Sequence, residues 1–71
     1  MTELKAANAE QLDVGTSVLR DISEMAKLRV YSKAKAEKMS NYVKCNLAEV
    51  TDYRRNGMKI EEITELVGQL V

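Results

Sequence analysis

Residues 28–60 read LRVYSKAKAEK, MSNYVKCNLAE, VTDYRRNGMKI in blocks of eleven, and the way this stretch folds decides the architecture. The fourth column is Tyr31, Tyr42 and Tyr53, the first Leu28, Met39 and Val50, and the sixth Lys33, Lys44 and Arg55. The ninth, Ala36, Leu47 and Met58, extends back to Met25. Eleven residues make nearly three whole helical turns, so each column is a nearly straight stripe along a helix. At about 100° per residue the Leu28, Tyr31 and Ala36 columns fall within one apolar half, joined by Val43, and the basic column lies on the other side. This predicts an all-α protein with one long central helix.

The boundaries of that helix follow from the punctuation around it. Proline is absent, and glycine stands only at 15, 57 and 68. The long helix is expected over residues 16–56, with Thr16 or Ser17 as N-cap and Gly57 taking the left-handed conformation that closes a helix. Before it, residues 1–14 form a short helix or arm, with Thr2 as N-cap and Leu4, Ala7, Ala9 and Leu12 on a weak apolar face. After it, residues 59–70 place Ile60, Ile63, Leu66, Val67 and Leu70 at helical spacing, and Glu61 and Glu62 in the first turn suit the helix dipole. This last helix is expected to fold back as a hairpin.

The 71 residues are enough for one domain. A helix of about forty residues would span roughly 60 Å, twice the roughly 30 Å diameter of a compact chain of this size. Either the helix breaks, at Tyr31-Ser32 where propensity is weakest, or a second copy covers its apolar half. The lack of Pro and Gly inside the span favours the second copy. A two-fold homodimer is therefore expected, with Met25, Leu28, Met39, Val43, Leu47 and Val50 in its interface. Tyr31, Tyr42 and Tyr53, each with a large apolar body and a polar tip at the stripe edge, are the expected partner-binding residues.

Composition excludes several chemistries. With one cysteine and no histidine, an internal disulfide is impossible and a zinc or iron site is not expected. The usual proton carrier near neutral pH is missing, and Cys45 has no histidine to serve as its base. The glycines are isolated, so there is no phosphate-binding loop. Neither enzyme activity nor a cofactor is expected. No long apolar run suggests a leader or a membrane span, and the lone Cys45 suits a reducing cytoplasmic setting.

Eleven basic and eleven acidic residues cancel, but the distribution is uneven. Six of the basic ones lie between Lys27 and Lys44 against one acid, Glu37. Lys33, Lys35, Lys38 and Lys44 are thus the candidate nucleic-acid contacts, if a dimer joins them into a patch. Residues 53–68, YRRNGMKIEEITELVG, resemble the opening of bacterial helix-turn-helix domains, in which a basic helix, a glycine turn and an acidic-start helix precede the recognition helix. The resemblance implies DNA binding. If residues 47–56 and 60–70 were themselves the motif, Glu61, Glu62 and Glu65 would present phosphate with the wrong sign. The reading favoured by these features is a small regulatory or adaptor protein that binds a larger protein as a homodimer. Its alternative is a DNA- or RNA-binding regulator.

Overall fold

A computed structural model describes residues 8–71, and it is all-α. Helix α1 spans Ala9–Lys27, α2 Lys33–Cys45, α3 Leu47–Arg55 and α4 Ile60–Leu70. The expected N-cap at Thr2 and the contribution of Leu4 and Ala7 lie outside the described residues. The single helix expected over 16–56 is instead interrupted twice, at residues 28–32 and at Asn46.

The first interruption is a helix stop without glycine. Val30 N–H bonds the Met25 carbonyl at 2.9 Å and Arg29 N–H bonds the Ala26 carbonyl at 3.1 Å. That pair of bonds is the Schellman arrangement, and it requires a left-handed residue, here Arg29 with φ 64°. Ser32 then restarts the chain as the N-cap of α2, its hydroxyl accepting the Lys35 N–H at 3.1 Å. The second interruption is one residue long. Asn46 has φ −132° and ψ 43°, and its side-chain amide donates to the Tyr42 carbonyl at 2.8 Å. Gly57, with φ 98°, closes α3 by the same arrangement, as Met58 N–H and Gly57 N–H bond the Tyr53 and Arg54 carbonyls.

Gly15 is not a boundary but a contact. It lies inside α1 and is buried, and a Cβ built there would sit 2.6 Å from Leu47 Cδ2. Its bare backbone thus admits Leu47 from the start of α3. Helix α1 packs against each of the other three helices. Val14, Val18 and Ile22 of α1 meet Ala36, Met39 and Val43 of α2, Leu47 and Val50 of α3, and Ile63 and Val67 of α4 in one core. Fully burying an aliphatic side chain of this kind contributes about 1.5–3 kcal/mol.

This core revises the dimer assignment. Met39, Val43, Leu47 and Val50 are buried within one chain, Met25 is half-buried, and Leu28 is 64% exposed. The described residues measure 32 × 30 × 18 Å with a radius of gyration of 11.4 Å. The 60 Å rod that called for a second copy is replaced by short helices that bury each other's apolar faces. No helix among the described residues is long and apolar enough to cross a membrane.

Candidate functional site

The stop at the end of α1 also shapes the most distinctive surface. By turning at Arg29 the chain delivers Val30 and Tyr31 beside Met25, the residue whose carbonyl Val30 caps. Tyr31 leans on α4 over Gly68, where an added Cβ would come within 3.3 Å of the tyrosine hydroxyl. Between α1, this turn and α4 lies a groove of about 280 Å³ lined by Met25, Val30, Tyr31 and Thr64 together with Asp21, Glu61, Glu62 and Glu65. Val30 is 59% exposed and its neighbour Leu28 more so.

Among the described residues, none of the groove's acids is in an ion pair. The ion pairs among the described residues join Arg55 to Glu10 and to Asp52, all away from it. Glu62 accepts the Lys59 backbone N–H at 2.8 Å, an N-terminal cap for α4. Asp21 stands on the half-buried flank of α1 beside Ile22 and Met25, and its Oδ2 is closed off from solvent with no hydrogen-bond donor among the described residues. Burying a carboxylate oxygen without a donor is unfavourable, so folding alone gives no reason for this acid.

The three candidate tyrosines separate. Tyr31 belongs to the groove. Tyr42 and Tyr53 donate to the two oxygens of Glu49, at 2.9 Å and 2.5 Å. The kink at Asn46 makes this possible by bringing Tyr42 of α2 over Glu49 of α3, while Glu49 and Tyr53 are one helical turn apart. The two phenol donors hold the Glu49 carboxyl below its usual range. The same carboxylate raises Tyr42, and pushes Tyr53 up to about 12. These two hydroxyls are engaged within the chain.

The candidate lysines do not form one patch. Lys33 lines a groove of about 560 Å³ between α1 and α2, beside Ser23, Ala26 and Glu37. Lys44 lies at the other end of α2 near Leu12 and Leu19, Lys35 donates to the Val71 carbonyl at 3.0 Å, and Lys38 is exposed. The α1–α2 groove is wider but bears small side chains and charges of both signs, so it has little to recognise a ligand with.

Sequence reasoning passed over Asp21, Val30 and the α4 acids as parts of the site. The available signal was Asp21, an acid on the apolar stripe Val14, Val18, Ile22, Met25. The groove's carboxylates, set beside an apolar lining, can hold cationic groups. No protein-family model, curated protein or solved structure matches this chain.

Proposed function

We propose that the protein is a small non-catalytic regulatory or adaptor module that acts by docking on a larger protein. The observation that carries this reading is the pair Leu28 and Val30, 64% and 59% exposed, at the turn that borders the groove. Single exposed aliphatics are ordinary on a surface. Two of them beside a groove that Met25 and Tyr31 also line have the composition of a contact surface, where a few apolar or aromatic anchors supply most of the affinity. Self-association through this patch is the competing occupancy, since Met39, Val43, Leu47 and Val50 are inside the core.

The nucleic-acid alternative has less support. The lysines are dispersed over different flanks of α2, and the groove would repel phosphate. A photoreactive residue placed at position 28 or 30 and irradiated in the native host is expected to capture a protein, and the adduct is expected to survive nuclease. The same group at position 38 is expected to capture none. An adduct that nuclease removes would assign the surface to nucleic acid. Absence of any adduct at 28 and 30 would overturn the docking reading.

A further inference from the structure

Building on the docking reading, we infer that the groove between α1 and α4 takes a basic segment of the partner, one in which arginine or lysine residues flank an aliphatic anchor. Charge and apolar surface converge here from separate elements. Glu61 and Glu65 are one turn apart on α4 and line the same groove as Asp21 of α1, so a cation entering it meets carboxylates from two sides. Val30 and Tyr31 supply the apolar contact, and the tyrosine ring is a surface on which a guanidinium can stack.

A solvated helix start accounts for Glu61 and Glu62, which the dipole of α4 favours. It does not account for Glu65, a turn further on, or for Asp21, which lies well inside α1. All four acids lack an ion-pair partner among the described residues, so the groove presents uncompensated negative charge against an apolar lining. Nucleic acid and anionic lipid would be repelled by it. A partner bearing cationic groups would supply the missing complement, and such complementarity acts on both the rate of encounter and the choice of partner.

The test uses the full chain and a fluorescent synthetic peptide of Leu-Arg-Arg-Leu repeats, with a second peptide carrying Glu in place of Arg. Anisotropy is expected to rise with the first peptide only, and the affinity to fall as salt is raised. Glu61→Gln with Glu65→Gln is expected to weaken binding about tenfold or more, and Val30→Ser about tenfold. Asp13→Asn with Glu37→Gln, an equal loss of charge elsewhere, should change it by less than about twofold. Melting curves are recorded alongside, and each variant is expected to keep its fold. Equal losses from both double variants would mean diffuse attraction and overturn the inference. So would failure to bind the arginine peptide, or a doubled mass in sedimentation that Val30→Ser abolishes, since a second copy would then occupy the groove. If the photoreactive group at 28 or 30 captures a protein through a segment without basic residues, the basic class falls and the docking reading stands. If the peptide binds the groove and no protein is captured in the host, the docking reading falls and the groove's preference stands.

Discussion

Asp21 illustrates how a single residue can set folding against recognition. Its Oδ2 is buried with no donor among the described residues, and removing such a group typically relieves about 1 kcal/mol or more. Alanine also favours the helix interior over aspartate. Asp21→Ala is therefore expected to raise stability by about 1 kcal/mol in urea titration while weakening the arginine peptide. A loss of stability would show that the carboxylate is satisfied in solution. The Glu49 cluster predicts a pH dependence. Glu49 is lowered from 4.5, so its contribution is present above that value and fades as pH falls below it. Tyr53 is raised from 10.0 to about 12, so its contribution is complete below about pH 10 and is lost as pH climbs towards 12. The advantage in melting temperature of the parent over Glu49→Gln should therefore be flat through neutrality and shrink at both extremes. An advantage unchanged below pH 4 would refute it. The stripe positions Met39, Val43, Leu47 and Val50 were legible from periodicity because burial repeats with the helix. Asp21 was legible only as an acid on the apolar stripe of α1, and among 31% charged residues that position does not say that α4 will set Glu61 and Glu65 across a groove from it.

At the scale of the helices, the sequence gives the helical class and the last element, α4, close to its observed limits. It offers the first interruption, at Tyr31-Ser32, only as the less favoured alternative, and it hides the second, at Asn46, for a definable reason. Reading by glycine and proline assigns stops where the backbone is freest or where a helical N–H is missing, whereas here Arg29 and Asn46 do the stopping through local hydrogen bonds. Arg29 holds φ 64°, where a side chain costs about 1 kcal/mol relative to glycine. Arg29→Gly is expected to stabilise the fold by about 1 kcal/mol, measured by urea unfolding, and destabilisation would mean that the arginine side chain is itself needed. Gly15 misleads in the opposite direction, being read as a boundary when it is a helix contact. Gly15→Ala gains helix propensity of about 1 kcal/mol but drives a methyl into Leu47, an overpacking worth about 1–3 kcal/mol. A net loss of about 1 kcal/mol is expected. In a Leu47→Ala background, where the space is empty, the same substitution should become stabilising. If its sign did not reverse, the close approach of α1 and α3 would not be the reason for the glycine.

For the molecule as a whole, the decisive feature is that α1 touches every other helix while α2, α3 and α4 share smaller contacts with one another. Removing α1 takes Val14, Val18 and Ile22 from the core and leaves the remainder without its common surface. A fragment covering residues 33–71 is expected to lack cooperative melting by circular dichroism, whereas the full chain is expected to melt in one transition. A cooperatively folded fragment would show that α2–α4 are self-sufficient. The central place of α1 also has a consequence for biosynthesis. The ribosome makes it before any of the helices that cover it, so its apolar face must wait for Val67 of α4. At about 5–20 residues per second the stretch from Ser23 to Val67 takes on the order of 2–9 s to appear. For that interval the nascent chain carries an uncovered hydrophobic ridge, and the helix that organises the finished protein is the one most open to misassembly during its own synthesis.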